Sequence, residues 1–227
     1  VVVVLHGFSS NPSMVIGNGG WEQAVRDHRF IAVVPGGIGD SWNAGACCPL
    51  ATNLGVDDAT YLSQLVAAVR QRPDVDPNRV FIAGESNGGM MAYRFACTHS
   101  AEVAGIASVG GTNVSGCTPS APVPVLHVHG AADLTVPYEG GQSPISFLLG
   151  VYFASVPSAM QAIADAQGCD PIPQRSTDGA VTRTRWSGCR EGVPVVLDTV
   201  DGQSHDWPRS DRYDATTEVL RFFGIIR

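Results

Sequence analysis

The sequence has no lysine: its fourteen basic residues are all arginine and stand against 21 acidic ones, for a net charge of −7. That shortage of positive charge argues against a nucleic-acid or anionic-membrane partner. Charged residues of either sign amount to only 15%, against 44% hydrophobic, the balance of a globular protein with a modestly charged surface. No apolar run approaches the roughly 20 residues that span a bilayer. The longest, Ile145 to Ala154, reads as core or pocket wall. The C-x-x-C spacing of a zinc or thioredoxin-like site is lacking, and neither a metal nor a cofactor is called for. Internal repeats, low-complexity tracts and a second domain boundary are lacking too, so residues 1–227 read as one domain.

What is present starts abruptly. Val1 to Leu5 already carries the apolar, β-branched pattern of a strand buried on both faces, and further sequence ahead of it, including any leader, is expected. Six cysteines, Cys47, Cys48, Cys97, Cys117, Cys169 and Cys189, are better read as disulfides than as free thiols. That reading places the protein outside the cell. Proximity favours Cys169 with Cys189, which leaves the other four to pair among themselves.

The stretch that organises the chain is Val80 to Ala96, an apolar run entering a glycine-flanked serine and leaving as an amphipathic segment. Gly84-Glu85-Ser86-Asn87-Gly88 has the G-x-S-x-G pattern of a nucleophile elbow, in which a sharp strand-to-helix turn lifts the serine hydroxyl above a sheet edge. A Cβ at either glycine would collide where strand and helix cross.

Elsewhere, strand patterns at Phe30–Val34, Val103–Val109, Pro124–His129, Val181–Trp186 and Pro194–Val200 alternate with helical ones at Gly20–His28, Val56–Arg70, Pro157–Gln167 and Tyr213–Phe223. This alternation predicts an α/β architecture with a mainly parallel central sheet flanked by helices. Parallel strands share one C-terminal edge. Ser86, Asp133 after the strand-ending Gly130, and His205 after the last strand would all project from it. Their chain order, Ser then Asp then His, is that of the α/β-hydrolase fold. In that arrangement His205 takes the Ser86 proton and Asp133 holds the imidazole. The amides of Phe8 and Asn87 are the candidate oxyanion hole.

Other side chains invite bland explanations. His6 beside Gly7 is expected to brace a loop, His127 and His129 to be packed or hydrogen-bonded near the sheet, and Asp57 and Asp58 to cap a helix. Trp42, in the long loop from Pro35 to Gly55, is a candidate substrate contact, as is Trp207 two residues past His205. The apolar segment from Gly140 to Ser155 cannot be assigned to strand or helix.

Leu5-His-Gly7, Ser41-Trp-Asn-Ala-Gly-Ala-Cys-Cys48, Val56-Asp-Asp58, Val75-Asp-Pro-Asn-Arg-Val80, Gly84-Glu-Ser-Asn-Gly-Gly-Met-Met91, His129-Gly-Ala-Ala-Asp133 with Val136-Pro-Tyr138, and Ser204-His-Asp-Trp-Pro208 together resemble the LpqC/polyhydroxybutyrate-depolymerase-like esterases, relatives of the carbohydrate esterase family 1 feruloyl esterases. The resemblance covers nearly the whole chain. It implies a secreted α/β-hydrolase acting on carboxylic esters, with Ser86, Asp133 and His205 matching the family's triad. Serine where the family commonly has glycine ahead of the histidine, at Ser204, and a long apolar segment from Ser143 to Ala154 depart from the pattern. Feruloyl esters of plant polysaccharide are the first expected substrate and polyhydroxyalkanoate or another polyester the second. Phe147, Leu148, Leu149, Tyr152 and Phe153 would serve the latter if they face solvent. A non-catalytic binding module on a hydrolase scaffold is the expectation from another class.

Overall fold

The computed structural model describes all residues from Val1 to Arg227. The apolar runs that favour extended backbone are too short to bury themselves singly, and they assemble into one sheet of eight strands. Strands β1 (Val2–Leu5), β2 (Ala32–Val33), β3 (Phe81–Glu85), β4 (Ile106–Val109), β5 (Val125–Gly130), β6 (Gln174–Asp178), β7 (Val181–Trp186) and β8 (Val195–Val200) lie in the order β2-β1-β3-β4-β5-β8-β7-β6. All neighbours from β2 across to β8 are parallel, and β7 and β6 close the sheet as an antiparallel hairpin.

Successive side chains of a strand point to opposite faces, and β1 shows the result. Val3 and Leu5 enter one core with Leu62, Val66, Phe95, Met160 and Ile163, while Val2 and Val4 enter the other with Trp21, Val219 and Leu220. Helices α4 (Asp58–Arg70), α5 (Asn87–His99) and α7 (Val156–Ala166) therefore cover one face, and α1 (Pro12–Gly19), α2 (Trp21–His28) and α8 (Ala215–Phe222) the other. Short helices α3 (Pro49–Asn53) and α6 (Pro144–Leu148) lie within connections, and a two-stranded ribbon, β9 (Arg209–Ser210) with β10 (Tyr213–Asp214), precedes α8.

Three disulfides join Cys47 to Cys48, Cys97 to Cys117 and Cys169 to Cys189. The last is the pairing favoured by proximity. The apolar segment from Gly140 to Ser155 resolves into α6, started by a reciprocal cap between Ser143 and Ser146, followed by a bridge between Gly141 and Phe153. Phe147, Leu148 and Tyr152 point to solvent, at 69%, 78% and 73% exposure, whereas Phe153 is buried and Leu149 packs against the core.

Only one of the two aspartates at the start of α4 is explained by capping. Asp57 accepts from the Thr60 amide at 3.1 Å, but Asp58 is buried and accepts from the Asn43 amide at 2.7 Å. Burial raises the Asp58 carboxyl, and the Asn43 amide works in the opposite direction. Asp58 thus anchors the long loop after β2.

Candidate active site

The elbow places Ser86 between β3 and α5 with φ +51°, a left-handed conformation that a residue other than glycine adopts only under constraint. The constraint is close packing. A Cβ at Gly88 would lie 2.4 Å from the carbonyl oxygen of Leu5, and one at Gly84 would lie 2.3 Å from the Gly88 carbonyl carbon. With those contacts free of side chains, β1, β3 and α5 approach closely enough to hold the turn.

Parallel pairing brings the other two chemical groups to the same rim. Glu85 of β3 is in register with Val109 of β4, Val109 with Val128 of β5, and Gly130 with Val200 of β8. The loops after β5 and β8 carry Asp133 and His205. His205 Nε2 lies 3.0 Å from Ser86 Oγ, and His205 Nδ1 lies 2.7 Å from Asp133 Oδ2. Asp133 is buried, and its Oδ1 accepts from the amides of Thr135 at 2.8 Å and Val136 at 2.9 Å. Burial alone would raise this carboxyl. The donors from His129 and His205, the His205 charge and the Val136 amide outweigh it and hold the group far below the usual carboxylate range. Since the carboxylate accepts, His205 Nδ1 donates, leaving Nε2 to face the serine hydroxyl as an acceptor.

The end of β1 runs past the elbow, with a Cβ at Gly7 falling 3.5 Å from Ser86 Cβ. Neither the Phe8 amide nor the Asn87 amide donates to any protein acceptor, and the latter is a first-turn donor of α5 with none available in its helix. The Asn87 side chain acts elsewhere, on the loop after β2. Its Oδ1 accepts from the Trp42 amide at 2.7 Å and its Nδ2 donates to the Trp42 carbonyl at 2.9 Å.

That clamp explains one correction. Trp42 does not line the substrate cleft; its ring is fully buried, with Nε1 donating to the His6 carbonyl at 3.0 Å. Trp207 is likewise no substrate contact. It is buried in the core on the other face, edge-on to Trp21 at 5.5 Å, and donates to Thr216 Oγ1 at 2.9 Å. His6 braces the loop, as expected: Gly37 N donates to its Nε2 at 3.0 Å, so its Nδ1–H donates to the Gly7 carbonyl at 2.8 Å.

The residues that do surround Ser86 were less legible. A cavity of about 60 Å³ opens beside it, lined mainly by apolar groups from Phe8, the Cys47–Cys48 disulfide, Met90, Val136 and Phe153, with Ile145, Leu149 and Val151 from the α6 region. Glu85, immediately before the serine, has its carboxyl raised by burial, with the His205 charge acting the other way and Asp206 reinforcing it.

A serine on an elbow, a buried aspartate and a linking histidine, on loops at the carboxyl end of a parallel sheet, define the fold's functional rim. The Phospholipase/Carboxylesterase family profile matches residues 52–153, a stretch containing Ser86 and Asp133. Over 99% of its length the chain superposes on 88% of the acetyl xylan esterase from Aspergillus awamori, with a TM-score of 0.66 and 14% identity. The chain has the α/β-hydrolase fold and is similar in sequence to feruloyl esterases. It is 29% identical to feruloyl esterase B of Piromyces equi over 80% of this chain and 34% of that protein. It is 26% identical to the bifunctional acetylxylan esterase/xylanase XynS20E of Neocallimastix patriciarum over 94% of this chain and 30% of that protein. The chain thus spans about a third of the length of these two relatives.

Proposed function

We propose that this chain is a serine carboxylic ester hydrolase, a single catalytic domain acting on acyl esters of plant polysaccharide through a covalent acyl-enzyme. The observation that carries the reading is the hydrogen-bonded series from Ser86 through His205 to Asp133, with distances of 3.0 and 2.7 Å. Ser86 Oγ attacks the ester carbonyl while His205 Nε2 takes its proton, and Asp133 stabilises the imidazolium. The carbonyl oxygen becomes an oxyanion facing the Phe8 and Asn87 amides, a contribution of roughly 3 kcal/mol for one well-placed donor. Collapse of the tetrahedral adduct breaks the carbon–oxygen bond to the alcohol, which leaves with the proton from His205. Water, deprotonated by the same imidazole, then attacks the acyl-Ser86 ester and releases the acid.

Feruloyl esters are the first substrate class, supported by the named activities of the relatives. A second class, short hydroxyalkanoate polyesters, is supported by the cavity and its surroundings. The apolar lining of the cavity suits a short aliphatic acyl group. The exposed Phe147, Leu148 and Tyr152 on the adjoining segment offer an apolar surface to a polymer. Secretion is supported by the three disulfides, since such bonds persist in oxidising compartments.

The reading is tested with a fluorophosphonate probe and with paired substrates. The native chain should be labelled on Ser86, and Ser86→Ala should lose both the adduct and ester hydrolysis. An unlabelled but folded native chain would instead identify a binding module. Turnover of methyl ferulate against a polyhydroxybutyrate film separates the two substrate classes.

A further inference from the structure

Behind Asp133 lies a line of buried polar side chains that the proposed reaction does not use. His129 Nε2 is 2.8 Å from the Val136 carbonyl and 3.3 Å from Asp133 Oδ2; its Nδ1 is 2.9 Å from His127 Nε2, and His127 Nδ1 is 2.7 Å from Tyr93 Oη. All three residues are buried, and the two imidazoles stack with their planes 4° apart. No solvent reaches them, so every polar atom must be satisfied by protein partners, which for Tyr93 Oη include Met160 Sδ at 3.3 Å as well as His127.

That requirement fixes where the protons are. A carbonyl can only accept, so His129 Nε2 carries hydrogen. Burial pushes His127 well below its ordinary value and keeps it neutral, with the neighbouring His129 adding to the effect and Asp133 opposing it. One proton on each ring then gives a single polarity: Tyr93 O–H donates to His127 Nδ1, His127 Nε2–H donates to His129 Nδ1, and His129 Nε2–H donates to the Val136 carbonyl with Asp133 Oδ2 close beside it. The reverse polarity would put a second proton on His129, creating a cation in a site without water.

We propose that His129 is a positioning residue for the triad, a second ring N–H close to the Asp133 oxygen that engages His205, and that Tyr93 and His127 fix the ring tautomer required for it. The inference rests on the proposed esterase reading. Asp133 then has three hydrogen-bond donors, the amides of Thr135 and Val136 on Oδ1 and the His205 ring on Oδ2, with the His129 ring as a longer contact on Oδ2 at 3.3 Å. A carboxylate so surrounded is locked in orientation and is a weaker base toward His205. Loss of the His129 N–H leaves the anion more basic, strengthens its hold on the His205 proton, and makes the imidazolium harder to deprotonate. The other charges near the His205 ring, Glu85 and Asp206, stay in place in such a variant.

The test compares His129→Phe, which keeps a ring and removes both polar atoms, with His129→Gln, which retains one acceptor and one donor. With p-nitrophenyl acetate, His129→Phe should lower kcat about tenfold, the scale of one hydrogen bond to a charged group, with KM little changed. The acidic limb of kcat/KM should move to higher pH, and His129→Gln should recover most of both effects. A fall in kcat with the limb unmoved, or equal behaviour of the two variants, would overturn the proposal by reducing His129 to packing. If neither variant folds, nitrogen–proton correlation spectra of the native imidazoles decide: hydrogen on Nε2 of both His127 and His129 is required, and hydrogen on Nδ1 of either refutes the line. These spectra need no turnover, and Ser86→Ala tests the esterase reading separately, so the two ideas fail independently.

Discussion

Asn87 combines a backbone amide that any residue would supply with a side-chain clamp that only an amide can make, so replacing it separates the two. In Asn87→Leu the Trp42 amide loses its 2.7 Å acceptor, and the Trp42 carbonyl loses a 2.9 Å donor but keeps the Ala44 and Cys48 amides at 3.0 and 3.3 Å. An orphaned buried N–H costs about 1–3 kcal/mol, and loss of a bond whose acceptor stays satisfied about 1 kcal/mol. The sum, about 3 kcal/mol, corresponds to a fall in Tm of roughly 6–12 °C for a chain of this size. Because the Asn87 N–H toward the proposed oxyanion survives, kcat measured well below the new Tm should fall less than tenfold. Asn87→Asp provides a control with a defined sign. Its buried carboxylate would face the Trp42 carbonyl without a donor, so its folded-state pKa is raised, and stability should recover as pH falls and the protonated carboxyl donates again. Calorimetry at pH 8 and pH 5 reads both effects. An unchanged Tm in Asn87→Leu, or a hundredfold loss of kcat at native stability, would refute the division of labour.

Gly88→Ala would put a methyl group 2.4 Å from the Leu5 oxygen and 2.6 Å from the His6 oxygen; both are backbone atoms, so the variant should be poorly folded, measured as soluble yield and near-ultraviolet dichroism. Asp198 is fully buried and accepts from Arg183 at 2.7 and 2.6 Å and from the Tyr213 hydroxyl at 2.7 Å. Arg183→Met leaves that charge short of its cation and should cost about 3 kcal/mol in urea unfolding. His127 is held neutral in the folded chain, with a folded-state pKa below the unfolded one. The unfolded chain therefore binds the extra proton first, and stability should decline as pH drops below about 6.5, by up to about 1.4 kcal/mol per pH unit from this group. A His127→Phe variant should show a shallower slope between pH 7 and pH 5.

The sheet and the rim were legible because their signals are local. Val2 to Leu5 and Val195 to Leu197 are apolar on both faces, and the elbow glycines mark a crossing where a Cβ cannot stand. Asp133 and His205 could be placed by counting from strand ends, since parallel strands deliver their loops to one edge. The edge strand β6, Gln174-Arg-Ser-Thr-Asp178, is invisible to such reasoning because all of it is exposed and it carries no apolar period. The second strand shrinks to Ala32–Val33. Trp42 and Trp207 mislead for a related reason: an indole beside a candidate site can face the cleft or the core, and the choice rests on Asn87, His6 and Thr216, which neighbour them only in three dimensions. The same holds for the His127–His129 line, whose period-two spacing places both rings on one face of β5 but names no partner for either.

One group of buried polar residues lies around the rim that carries Ser86, while others, such as Gln167, Asp198 and Thr216, are buried elsewhere. His6, Asn43, Asp58, Asn87, His127, His129 and Asp133 make up the group at the rim, and each makes a specific hydrogen bond to a loop that shapes the site or to another member of the group. Burying so many polar atoms costs about 1–3 kcal/mol for any one left unpaired, so the arrangement is tolerable only because each has a partner. Paired donors also have little freedom to reorient when charge develops, the condition under which fixed dipoles stabilise a transition state without reorganisation. The cavity wall supplied by α6 is built on the opposite principle, with apolar contacts inward and Phe147 and Leu148 outward. Substitutions there, such as Phe147→Ser with Leu148→Ser, should change KM for a polymer film while leaving kcat on a small soluble ester near its original value. Equal losses on both substrates would mean that α6 supports the rim itself rather than the approach to it.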